Sequence, residues 1–194
     1  MSYLIRKITK SKWDQHKTEL IHGMPLAMIH SEFKSDNSTL SLWYAENEEQ
    51  ILDAIMILSL NQENIETVDI CLIPFDLMNS RFNLIKINGR TVIDAYIDRH
   101  YDFLHVTYST LGEFANIILD SFQDSRVIRL TGPKILNELA RRALDNEYDI
   151  NLTKDGVKKK VESQIDKNIK TKTIVKKEDY IQIIKKELGT SKAS

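Results

Sequence analysis

The chain has one cysteine. Cys71 has no second thiol in the chain to bridge to, so a disulfide framework is excluded. It sits inside an apolar run, where a buried inert thiol is the expectation rather than a nucleophile. Long hydrophobic stretches are also missing. No run approaches the roughly 20 apolar residues needed to cross a bilayer. The N-terminal residues, Met1 to Lys7, turn charged too soon for a signal peptide. A reducing, cytoplasmic setting with no membrane partner is therefore expected. Catalytic signatures are scarce as well. There is no Gly-x-x-x-x-Gly-Lys phosphate loop, no Gly-x-Ser-x-Gly elbow and no Cys–His grouping at an arguable spacing. No cofactor and no metal centre is expected on these grounds.

What is present is a globular composition. The 194 residues are 42% hydrophobic and 28% charged, enough for one domain plus a small appendage. The richness in Lys, Ile and Asn suits an AT-rich bacterial or mobile-element genome. The net charge of −1 conceals a split. Residues 1–150 carry a net of −7, and residues 151–194 a net of +6 with no arginine. This predicts an acidic body, 1–150, and a basic, mainly helical C-terminal appendage, 151–194.

The central prediction is a βαβ unit. Thr39–Tyr44 alternates apolar and small polar side chains, as a half-buried strand does. Asn47 and Gln50 make a capping-box start, and Ile51, Ala54, Ile55 and Leu58 form one apolar stripe, so a helix is expected over 48–60. Val68–Ile73 is apolar enough to be a strand covered on both faces, ended by Pro74. The crossover is long enough for the two strands to lie parallel.

Around this unit, Tyr3–Ile8 reads as a strand, Thr9–Ile21 as a weak helix, Leu26–Phe33 as a strand and 34–38 as a loop. Asn88-Gly89 between Phe82–Ile87 and Thr91–Ile97 predicts a β-hairpin. Residues 103–108 are ambiguous between strand and helix. A capping box starting at Thr110 predicts a helix with Leu111, Phe114, Ala115, Ile118 and Phe122 inward. Val127–Leu130 reads as a strand. Gly132-Pro133 opens another helix that ends near Asp145. In the basic region, helices are expected over 153–165 and 178–188, with a strand-like 170–177 between them. The expected fold class is α/β or α+β, with a mixed sheet, the βαβ unit and the hairpin, followed by helices and the basic appendage.

Two places could carry chemistry. Asp94, Asp98, His100 and Asp102 bring carboxylates and an imidazole near one strand end, suited to a metal-assisted hydrolase or nuclease. Their spacing matches no established ligand set, and the bland expectation is a wet hairpin face. The second place is the lysine-rich region. Lys158, Lys159, Lys160, Lys170, Lys172, Lys176 and Lys177 could contact phosphates or an acidic protein. Asp76 lies just past a strand end, and Lys134 at a helix start; neither makes a site alone.

The function expected is a non-enzymatic interaction or regulatory accessory subunit of a cytoplasmic bacterial multiprotein assembly. Antitoxin-like, immunity or defence-accessory subunits are one form of it. Its partner would be a protein, with a second copy of the chain also compatible. The alternatives are nucleic-acid binding through the Lys-rich region and metal-assisted hydrolysis on the 94–102 arm.

Overall fold

The computed structural model describes residues 1–14, 25–33, 39–89, 91, 93–124, 126–173 and 175–189, without the side chains of Leu26, Asp94 and Ala95. The predicted loop at 34–38 and most of the helix predicted over 9–21 lie outside these residues.

Among the described residues, six strands build one sheet in the order β4-β5-β2-β1-β3-β6. They are β1 (Tyr3–Ile8), β2 (Leu40–Ala45), β3 (Val68–Pro74), β4 (Leu84–Ile87), β5 (His100–Phe103) and β6 (Val127–Leu130). Helix α3 (Glu48–Leu60) connects β2 to β3. Both strands pair antiparallel with β1, which lies between them: Ile5 stands opposite Trp43 on one side and Leu72 on the other. β2 and β3 therefore run in the same direction, as the crossover requires, but they are not neighbours. Every adjacent pair is antiparallel, so the sheet is not mixed in its hydrogen bonding, and the architecture is α+β.

The period of two along each strand sorts side chains onto two helical layers. Ile5, Trp43, Ala45, Val68, Ile70, Leu72, Ile128 and Leu130 face one core. It is closed by α3, α6 (Gly132–Leu144), α7 (Asp155–Thr171) and α8 (Lys177–Gly189). Leu4, Ile8, Leu40, Leu42, Cys71, Ile73 and Phe103 face the other. That side is closed by α1 (Lys10–Asp14), α2 (Leu26–Glu32), α4 (Phe75–Arg81) and α5 (Tyr108–Gln123). β3 is buried throughout Val68–Ile73 because helices cover both faces, and no parallel neighbour is needed to account for it.

Four expectations are corrected. Leu26–Phe33 forms α2 and its cap, not a strand. Pro25 at φ −57° precedes it, and Ile29 and Phe33, four residues apart, both reach the core. The hairpin's second arm is not Thr91–Ile97 but β5, with Ile87 opposite His100. Asp94–Arg99 is a 3-10 segment instead, tied back by Gly89 N–H donating to Ile97 O at 2.8 Å. Helix α5 starts from Thr107, not Thr110. The two threonines cap each other reciprocally, with Thr107 N–H donating to Thr110 Oγ1 at 2.8 Å. The stretch 170–177 is not strand-like. α7 runs to Thr171 and ends on left-handed Lys172 (φ 52°), where Thr173 N–H donates to Asn168 O at 3.0 Å.

The ambiguous stretch resolves into the end of β5 at Phe103 and the start of α5 at Tyr108. Helices α3 and α6 follow the stripes read from the sequence. The α3 cap forms on Asn47 as expected, with Gln50 N–H donating to Asn47 Oδ1 at 3.0 Å, but Gln50 Oε1 accepts from Glu46 N–H at 2.8 Å rather than from Asn47, so the box is not closed.

Candidate functional site

The 94–102 arm comes together only in part. His100 and Asp102 alternate on β5 and share a face, and Nδ1 of the ring lies 3.9 Å from Asp102 Oδ1. Asp102 also accepts from Ser41 Oγ at 3.2 Å. The His100 ring is buried edge-on against Trp43, at 5.0 Å between centroids, and its Nδ1 has no hydrogen-bond partner among the described residues. Burial pushes the imidazole below its ordinary pKa, with Asp102 pulling the other way. Gly89 makes this packing tight. A Cβ there would stand 2.7 Å from the Trp43 ring and 2.8 Å from His100 Cβ. Asp98 is exposed on the 3-10 segment, and the Asp94 side chain is outside those described. Among the described residues no three His, Cys, Asp or Glu are grouped to hold a metal ion. The serine bonds the carboxylate rather than the imidazole, so this is not the geometry of an activated nucleophile.

A second polar cluster is one that sequence reading missed. Arg142 on α6 is fully buried; its Nε donates to Glu138 Oε1 at 2.8 Å and its Nη2 to Asp53 Oδ1 at 2.8 Å. Arg141 clamps the other side of Glu138, donating from Nε at 2.9 Å, and pairs with Glu147 at 2.9 Å. Arg99 approaches Asp53 at 3.5 Å and stacks its guanidinium 4.9 Å from the Tyr96 ring centroid. Burial pushes the Asp53 carboxyl up and Arg142 opposes this. Burial also works against the Arg142 charge, but Asp53 and Glu138 outweigh it and raise its pKa. Tyr96 is pushed up to about 12 by burial and by Asp53. With so many opposite charges satisfying one another, the cluster is a tie between α3, α6 and the 3-10 segment. The available signal was the pair Glu138 and Arg142, four apart on the side of α6 that carries Ile135 and Leu139.

An open cleft of about 580 Å³ lies where β1 begins and α3 starts. Its lining includes Tyr3, Glu46, Glu48, Arg126 and Lys185. Arg126 is paired with Asp124 at 2.8 Å. Both acids and bases line it, so the lining selects no ligand charge. Asp76 is exposed in the first turn of α4, and Lys134 is exposed in the first turn of α6.

The lysines divide into two sets. Lys154 pairs with Glu63 and Lys177 with Glu49, and Lys158 Nζ donates to Asn151 Oδ1 at 2.8 Å. Lys154 and Lys177 face the body and neutralise part of its acidity, while Lys158 bonds a neutral amide within the C-terminal region. Lys159, Lys160, Lys170, Lys172 and Lys176 are exposed, and so is Lys167. Meanwhile Val157, Val161, Tyr180 and Ile184 of the same region are buried in the core closed by α3 and α6. No helix among the described residues is long and apolar enough to cross a membrane. Comparison of the chain with protein-family models, with curated proteins and with solved structures finds no match.

Proposed function

We propose that the protein is a non-enzymatic accessory subunit that works by binding another macromolecule through its C-terminal helical layer. One observation carries this reading. The segment's lysines are used in two ways: Lys154 and Lys177 neutralise acids of the body, and Lys159, Lys160, Lys167 and Lys170 stand clear of it on α7, a helix fixed by core side chains. Charge held rigidly at a surface and unused by the fold is what an anionic partner recognises. The tightest charge cluster, Asp53–Glu138–Arg142, supports the same view, since its members bind one another and leave little for substrate.

The test is affinity capture of the tagged full chain from its native cells, beside a variant with Lys159, Lys160, Lys167 and Lys170 changed to Gln. A stoichiometric partner retained by the wild type and lost by the variant is expected. Identical captures from both, or a clean monomer from both, count against the reading. Metal-assisted hydrolysis on the 94–102 arm rests on the 3.9 Å approach of His100 to Asp102. Calorimetric titration with Mg²⁺ and Mn²⁺ tests it; saturable binding abolished by Asp102→Asn would favour the hydrolase.

A further inference from the structure

Charge is distributed to one side of α7. At about 100° per residue, Val157, Val161 and Asn168 fall in one narrow sector, and all three are buried. Lys159, Lys160, Lys167 and Lys170 fall in one sector about 100° wide that runs from opposite that face round to one side of it. Ser163 lies between them, and all five are exposed. From Lys159 to Lys170 the row is about 16 Å long at 1.5 Å per residue. Glu162 and Asp166 run along one flank only. None of the four lysine side chains is paired or hydrogen-bonded to a described residue, in contrast with those of Lys154, Lys158 and Lys177.

We propose that this row binds the phosphodiester backbone of a nucleic acid without reading its bases. The inference rests on the binding-subunit reading above and names the class of partner. Protein interfaces draw their binding energy from aromatic side chains, Arg and Met, and are depleted in Lys. The row has none of the former and four of the latter. Lysine ammonium groups are compact point charges on flexible stems, which suit a periodic anion rather than a shaped pocket. Residues 151–194 contain no arginine for bidentate contact to guanine. The row has no ring on which a base could stack. What remains is counterion release, which is blind to sequence and steep in salt. The helix is anchored by its buried face, so the row is already arranged before a strand arrives. The acidic flank repels phosphate and confines the contact to one edge.

The experiment is fluorescence anisotropy on the full chain, with a 20-base-pair duplex, a single strand of the same length, and polyglutamate as separate probes. Neutralising about four phosphates predicts an affinity loss of roughly 100-fold between 50 and 200 mM salt for the duplex. Changing the four lysines to Gln abolishes that binding while thermal stability holds, because the side chains are exposed. Lys86→Gln, on edge strand β4 and outside the row, leaves binding within about twofold, since no phosphate contact is lost. If polyglutamate binds through the row and neither nucleic acid does, the proposal is overturned and the binding-subunit reading stands. If no polyanion binds, the proposal falls together with the observation that carries that reading.

Discussion

Arg142 donates to Asp53 across 89 positions of sequence, at 2.8 Å and with both side chains buried. The contact pins α6 to α3, and Glu138 holds the same guanidinium from below. Removing one partner leaves a charge in a medium that cannot solvate it. Arg142→Met is therefore expected to cost about 3–5 kcal/mol in urea denaturation. Asp53→Asn should cost less, because Arg142 keeps Glu138. The double variant should be more stable than the sum of the single losses by about 0.5–3 kcal/mol, since the two residues share one interaction. Additive losses would mean that the pair contributes nothing as a pair.

Two glycines should respond to alanine in opposite senses. At Gly89 the new Cβ would meet Trp43 and His100, both buried and packed on each other. Overpacking of that kind costs about 1–3 kcal/mol, and it should also shift tryptophan emission. At Gly112, inside α5, a new Cβ meets nothing within 4 Å. There the gain in helix propensity predicts stabilisation of about 0.5–1 kcal/mol. Denaturation midpoints of the two variants on either side of the wild type check both statements at once.

Local rules carried the long helices and most strands, but not α2, which reads as a strand, or α4, which the sequence reading leaves out. The Asn47 cap, the stripes of α3 and α6, and the unbroken apolarity of Val68–Ile73 each point one way, and the structure follows. Errors arose where distant partners decide. Nothing near Tyr3–Ile8 says that it will insert between β2 and β3. Ile29 and Phe33 fit a strand or a helix equally until Trp13 and Phe114 are placed around them. Asn88-Gly89 carries the mark of a tight hairpin, yet Gly89 is there for its lack of a side chain against Trp43 and His100. The pairing of Asp53 with Arg142 spans too much sequence to be read locally. The split between lysines that face the body and those that do not depends on which side of α7 is buried.

Cys71 is fully buried on β3, and its thiol is pushed up to about 12, chiefly by burial, with Ser121 and Arg126 opposing. Since the thiolate is the reacting species, the native protein should leave a thiol-specific chromogenic disulfide unreacted at pH 8. One equivalent should react at once in urea. Fast stoichiometric reaction of the native chain would show that β3 is not covered on that face.

His100 gives the fold a pH dependence whose sign follows from its environment. Burial lowers the folded-state pKa below the ordinary 6.5. Between the two values the unfolded chain binds a proton that the folded chain does not. The contribution of the neutral ring is therefore fully present above about pH 6.5. It is lost as pH falls through that value, until the folded-state pKa is reached. The slope cannot exceed about 1.4 kcal/mol per pH unit for one proton. Asp53 and Asp69 work in the opposite sense, because burial raises their folded-state pKa values and protonation relieves them. The wild-type curve is thus a sum, and the informative quantity is its difference from His100→Gln. That difference should be flat from pH 8 to about 6.5 and then shrink toward pH 5, as the wild type loses what the variant never had. A difference that stays constant over the whole range would mean that the imidazole is as free to protonate in the fold as in the unfolded chain.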